Sequence, residues 1–411
     1  MPVTAGQGAG APAVGADVHV LVASSPAPVW GAQLYLLDPV EPLRQRGIVL
    51  TLASPADSPF AKEWLARGWP LVDLPLRLHG GLRRGDGSDR RPGPVALVLD
   101  AVAMVPSAVR LARTGRQFDL LHSYALRSHL EVAVAGHLAR RPSVLDQVNI
   151  VRPGIGRRVL RGIARLASLT VANSAATAAV VGDRAAVWVI QPGIDLHRFA
   201  PGAPEPGLRE QLTSDPSAPL VAIIGRLDVR KGIQILLEAM ARLQGPAAAA
   251  HLVVVGDAGT GPPEFAAELR RTGEALLGER VRFVGRRSDI PQILRSVDVM
   301  VNASKAEPFG LTVLEAQACG TAVIGTDAGG IPEFVEHGVT GLLVPPFEVE
   351  PMAAALERVL GDAALVEAMT AEALRRAHPA RGVEAQYDEL ASMYRSVAAG
   401  TRAPTPRPSS R

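Results

Sequence analysis

Asn302-Ala-Ser-Lys-Ala-Glu307-Pro308-Phe309-Gly310-Leu311-Thr312-Val-Leu-Glu315-Ala-Gln-Ala-Cys-Gly320 is the stretch that decides how this chain reads. It follows the apolar run at 297–301 and passes through a Pro-Phe-Gly turn. It then becomes a helix that starts near Leu311 and stops at Gly320. Strand, turn and helix in that order form one unit of a parallel α/β sheet. Glu307 falls in the loop at the strand's carboxyl end, and Glu315 falls about one turn into the helix. The amides of Leu311 and Thr312 lie at the helix N-terminus between them. Unpaired N–H groups and aligned peptide dipoles attract anions there.

A phosphate at the turn, a hydroxyl-rich ring near Glu307 and a diol near Glu315 together describe a nucleotide-sugar. Upstream, residues 220–224 form an apolar strand that runs into Gly225-Arg226-Leu-Asp228-Val-Arg230-Lys231-Gly232 and a helix. Three cations at a helix start oppose its dipole, by a few tenths to about 1 kcal/mol each. Either Asp228 and solvent offset that cost, or an anion sits there and reverses the sign. Lys62, Lys231 and Lys305 are the only lysines in an arginine-rich chain. Retaining a compact ammonium at 231 therefore points to a geometry that a planar guanidinium does not fill.

Further strands at 251–255, 281–284, 322–325 and 342–344 alternate with helices and complete a second half-chain. The first half has the same rhythm, with strands at 18–23, 48–53, 72–76 and near residues 122, 144, 169 and 188. Its helix at 95–114 is expected to bend or break at Pro106. Residues 79–94 are rich in Gly, Arg and Asp and read as a solvated insertion, or as a lip whose arginines contact an acceptor. In Asp119-Leu-Leu-His122-Ser123-Tyr124, polar groups reach the carboxyl end of a strand, the edge at which open α/β sheets bind ligands. Gly154–Arg165 is a basic amphipathic helix with Arg157, Arg161 and Arg165 on one face. That face is either an ordinary solvated one or a contact with an anionic membrane, with the solvated reading favoured. Pro- and Gly-rich residues 191–207 read as the interdomain connection.

With 411 residues the chain exceeds one ordinary core, so two domains are expected. A formal charge of +3 carries no nucleic-acid footprint. A single cysteine, Cys319, rules out intramolecular disulfides and cysteine-based zinc sites, and so fits a reducing compartment. Residues 1–16 have neither a basic segment nor an apolar run, so a cytoplasmic location is expected. No Asp-x-Asp pair or His cluster has metal-ligand spacing, so a metal-free site and no cofactor are expected. Dinucleotide, P-loop and Gly-x-Ser-x-Gly signatures are missing.

Gly-Arg-Leu-Asp-Val-Arg-Lys-Gly at 225–232, Val-Val-Val-Gly-Asp at 253–257, Phe-Val-Gly at 283–285 and Glu-Pro-Phe-Gly-x-x-x-x-Glu at 307–315 occur in series. Gly329-Gly330 with Glu333, and Gly338-Val-Thr-Gly341, extend the set. In this ordered series the chain resembles the family-4 retaining glycosyltransferases of the GT-B fold. The resemblance implies two Rossmann-like doubly wound α/β domains facing a cleft. It also implies that Arg226 and Lys231 hold the donor diphosphate together with the Leu311 and Thr312 amides. By the same resemblance Glu315 takes the ribose hydroxyls and Glu307 the transferred sugar. Gly225, Arg286, Phe309 and Gly310 would line the donor site, with the base against backbone near Arg286 and Arg287. Gly31 aligns with the family's Gly-Gly loop, although Trp30 precedes it here. The family often has His-x-His where this chain has His122-Ser123-Tyr124, so either His122 or Tyr124 is a candidate catalytic group and His122 is equally a candidate structural one.

The reading expected is a metal-independent, retaining transferase that moves a sugar from a UDP- or GDP-type donor to a small-molecule or lipid hydroxyl acceptor. Arginine-rich composition associates it with secondary-metabolite or glycolipid synthesis. Residues 1–200 would bind acceptor and 201–375 donor, with 376–400 a helix returning to the first domain and 401–411 a disordered tail. The alternatives are a nucleotide-sugar epimerase or phosphorylase of the same fold, and a non-catalytic sugar-nucleotide-binding protein.

Overall fold

The computed structural model describes residues 17–24, 36–76, 94–124, 126–258, 263–377 and 381–401. Gly31, Trp30 and the arginine-bearing segment 83–91 lie outside them, as do residues 402–411.

Two all-parallel sheets organise the chain. The first contains β1 (Val18–Ala23), β2 (Ile48–Ser54), β3 (Leu71–Asp73), β4 (Leu120–Ser123), β5 (Ser143–Gln147), β6 (Leu169–Ala172) and β7 (Val187–Val189), in spatial order β3-β2-β1-β4-β5-β6-β7. The second contains β8 (Leu220–Ile224), β9 (His251–Val255), β10 (Val281–Gly285), β11 (Val299–Asn302), β12 (Ala322–Thr326) and β13 (Leu342–Val344), in order β10-β9-β8-β11-β12-β13. Helices cover both faces of each sheet, which is why its central strands read as continuous apolar runs rather than alternating ones. In both sheets the order reverses beside the first strand, between β1 and β4 and between β8 and β11. A crevice opens at such a reversal, on the carboxyl side of the strands.

The helix Pro94–Gly115 includes Pro106 without a break. The last helix, Val383–Ala398, lies on the first sheet. Tyr387, Leu390, Ala391, Met393, Tyr394 and Val397 enter the core that also holds Val20, Val22, Leu120 and Val144. Arg46 clasps it by ion pairs of 2.7 Å to both Glu384 and Asp388. The chain passes from the first sheet to the second between Val189 and Leu220, and in that stretch Ile194 is tied to Gly382 by a parallel bridge.

Candidate active site at the carboxyl edge of the second sheet

Because β8 and β11 are neighbours, the loops after them share one edge. Lys231 comes from the first loop and Glu307 from the second, and Lys231 Nζ donates to Glu307 Oε2 at 2.7 Å. Two backbone contacts enforce this meeting. Lys305 N donates to Arg230 O at 2.8 Å. Gly232 has φ +67°, and a Cβ there would stand 2.0 Å from Ala303 O, so only glycine lets the loops close.

Burial alone would raise the Glu307 carboxyl, but the Lys231 ammonium and hydrogen bonds from Lys231, Ser304 and Asn302 hold it below the ordinary value. Its backbone is pinned from the other side. Gly330 N donates to Glu307 O at 2.8 Å, and a Cβ on Gly329, at φ +72°, would meet that oxygen at 1.9 Å. The Gly329-Gly330 pair therefore exists to bring the β12–β13 connection against the Glu307 loop.

Beyond Glu307 the chain turns at Gly310 into the helix Leu311–Ala318, whose first intrahelical donor is Val313, bonded to Gly310 O at 2.9 Å. The amides of Leu311 and Thr312 precede that donor at the end nearest Lys231 and Glu307. Glu315, one turn on, is partly buried, and burial pushes its carboxyl up to about 7, with Arg198 pulling the other way. Lys231, Glu307, the two amides and Glu315 are thus brought to one edge.

Other expected residues fall differently. Arg230 makes a bidentate pair with Asp228, at 2.9 and 2.5 Å, so Asp228 offsets that cation and no anion is needed to explain it. Arg226 is exposed on the same loop, beside Asp228, whose carboxyl the hydrogen bonds from Arg230 hold down at about 2. Phe309 is 2 % exposed, its ring tilted against Phe334 at 5.1 Å, so its side chain belongs to the core and only its backbone lines the turn. Arg286 is exposed on the loop after β10, while Arg287 pairs with Asp289.

His122 and Tyr124 sit at the edge of the first sheet, 3 % and 7 % exposed. His122 Nδ1 and Tyr394 Oη are 2.8 Å apart, which joins β4 to the final helix. Burial, with His129 nearby, pushes His122 down to about 3. Asp146, on the next strand, shares this pocket with Asn173 and Tyr394, and burial pushes its carboxyl up to about 8. Burial thus favours the neutral form of both the imidazole and the carboxyl.

Sequence reasoning gave Glu333 no role, yet it is the seam between domains. Its carboxylate accepts from Ala176 N at 3.0 Å and from Gln191 Nε2 at 2.9 Å. Ser174 Oγ donates to Pro308 O at 2.6 Å beside it, so the first domain touches the active-site turn directly. The Gly329-Gly330-x-x-Glu spacing was the available signal. Among the described residues no group of three His, Cys, Asp or Glu side chains is placed to hold a metal ion. No helix among them is long and apolar enough to cross a membrane.

The pattern is shared with known proteins. Residues 205–376 match the family model described as Glycosyl transferases group 1. The D-inositol 3-phosphate glycosyltransferase of Nocardia farcinica is 33 % identical over 232 residues, 54 % of this chain and 51 % of that protein. That of Actinosynnema mirum is 36 % identical over 222 residues, 52 % of each. The chain thus spans about half the length of these curated relatives. Anabaena HepE, solved in complex with UDP-glucose, superposes with a TM-score of 0.75 at 27 % identity, over 92 % of this chain and 99 % of that one. Sucrose-phosphate synthase of Thermosynechococcus elongatus shares the fold, with a TM-score of 0.71 at 23 % identity over 93 % of this chain and 100 % of that one. The two facing parallel-sheet domains are the GT-B fold, and residues 205–376 are a domain of the Glycosyl transferases group 1 family.

Proposed function

We propose that this protein is a glycosyltransferase that moves a sugar from a nucleoside-diphosphate sugar of the UDP or GDP type to a hydroxyl-bearing acceptor, with retention and without a metal ion. One observation carries the proposal: Lys231 is paired at 2.7 Å with Glu307, in the loop that leads into the Leu311–Ala318 helix carrying Glu315. In this reading a diphosphate is held by the ammonium together with the leading amides, which are fixed before the reaction begins. Preorganised donors of this kind typically supply the largest catalytic term.

In this reading Lys231 exchanges its contact with Glu307 for the departing diphosphate, assisted by the exposed Arg226. Glu307 turns to the hydroxyls of the transferred sugar, and Glu315 accepts from the ribose diol. The donor base lies by the backbone near Arg286. No described carboxylate is assigned as a nucleophile. The acceptor hydroxyl attacks on the face the diphosphate leaves, and a diphosphate oxygen takes its proton. The first domain binds the acceptor, and the reaction is cytoplasmic. HepE's bound UDP-glucose supports UDP as the first donor to try.

A thermal-shift panel of UDP, GDP, ADP and dTDP with their sugars, in EDTA, tests the reading. A ligand that binds only the folded state raises the melting temperature with concentration over its dissociation constant. Stabilisation by one nucleotide series is expected, and no shift with any of the four contradicts the assignment.

A further inference from the structure

The helix Ile155–Leu166 does not use its arginines as its amphipathic pattern suggests. Arg157 and Arg161 turn inward. Arg157 donates from Nε to Val180 O at 3.2 Å and from Nη2 to Ala179 O at 2.6 Å, and Arg161 Nε reaches the same Val180 oxygen at 3.1 Å. They satisfy the last carbonyls of the helix Ala175–Val181, so they are structural caps rather than a solvated face.

Leu160, Ile163 and Ala164 pack inward, which leaves a second, outward face. Ile155 is 68 % exposed, Val159 39 % and Leu166 46 %, and positions 155, 159, 162 and 166 repeat at helical spacing. Gly162 has open space around it, so the apolar strip is unobstructed. Arg158 and Arg165 lie exposed along one flank. Between Gln147 and Gly182 the chain has five arginines and no Asp or Glu.

We propose that this face docks on an anionic lipid bilayer, with Ile155, Val159 and Leu166 entering the headgroup boundary and Arg158 and Arg165 meeting lipid phosphates. Charge selects the occupant. An apolar strip flanked by cations, on a stretch without carboxylates, attracts an anionic interface and repels a second copy of the same positive face. The helix follows β5 at the carboxyl edge of the first sheet, the edge that holds the His122–Asp146 pocket. A hydroxyl carried by a lipid is the acceptor class this placement fits. That consequence rests on the glycosyltransferase reading, whereas membrane docking does not.

Co-sedimentation of the full chain with phosphatidylglycerol vesicles and with phosphatidylcholine vesicles tests the proposal, in parallel with UDP-glucose thermal shifts on the same samples. Binding to the anionic vesicles only is expected, weakening with added salt. The I155S/L166S and R158E/R165E variants should each lose at least tenfold in vesicle affinity while keeping the wild-type thermal shift. Equal binding to both vesicle types, no binding to either, or full binding by both variants overturns it. So does a dimer that dissociates in I155S/L166S without vesicle binding, which would assign the face to a second copy. A missing UDP-glucose shift with intact vesicle binding would count against the donor reading alone.

Discussion

The two sheets end in the same kind of crevice but fill it with opposite chemistry. At the second sheet the carboxyl edge presents charge: Lys231 against Glu307 at 2.7 Å, beside free helix-end amides, with glycines clearing the backbone. At the first sheet the corresponding edge is closed by the final helix, and His122, Asp146 and Tyr394 share a buried pocket in neutral form. In the proposed reaction the charged edge stabilises a charge that develops as the donor reacts. The other positions a domain and presents hydrogen-bonding groups without charge. The fold supplies the crevice twice, and side chains decide what each crevice does.

The sharpest break in that contrast is Lys231→Ala. Turnover should fall about 10²–10³-fold while the variant remains folded. Near-normal rates would place charge stabilisation elsewhere. Next is Gly329→Ala, which forces a Cβ to 1.9 Å from Glu307 O at a left-handed φ. It should cost about 2–3 kcal/mol in denaturant unfolding and misplace Glu307, so activity should fall with it. A variant as stable and active as the wild type would show that the close approach is not required.

At the quiet edge, Asp146→Asn sharpens the comparison through pH. The folded carboxyl titrates near 8 and the unfolded one near its ordinary 3.8, so the folded state holds a proton that the unfolded chain releases between those values. Stability contributed by that proton is present at low pH, declines as pH rises through the window and is flat above it. The variant should therefore gain on the wild type as pH rises from 5 to 8, by about 1.4 kcal/mol for each pH unit, with no further gain above that. Parallel pH profiles would mean that Asp146 is not buried as a neutral acid. The smallest effect is expected from Tyr394→Phe, which removes the partner of His122 Nδ1. It should cost about 1–2 kcal/mol and leave donor affinity unchanged, because the loss is confined to the first domain.

Legibility in the sequence follows the same division. The second edge could be read because its contacts are steric. Gly232 and Gly329-Gly330 stand where two backbones touch, and Gly310 turns the chain at a left-handed φ, so each motif carries glycine at a fixed spacing. Strand positions were also readable, since central parallel strands are buried on both faces and show as apolar runs. The first edge was not readable, because His122 meets Tyr394 across 272 residues and no spacing announces it. The same reason hid Glu333, whose partners Ala176 and Gln191 belong to the other domain. Arg157 and Arg161 misled because a helical wheel shows which residues share a face but not which neighbour's carbonyls await them. For Arg230 the sequence does not choose between an external anion and a counter-charge two residues away, and Asp228 is that counter-charge.

Isothermal titration of UDP into the wild type and Lys231→Ala, each in EDTA, tests the pyrophosphate pocket most directly. The account predicts that the wild type binds UDP without divalent ions and that the variant binds at least tenfold more weakly. Wild-type binding that needs a divalent ion, or equal affinity in the two proteins, would contradict it.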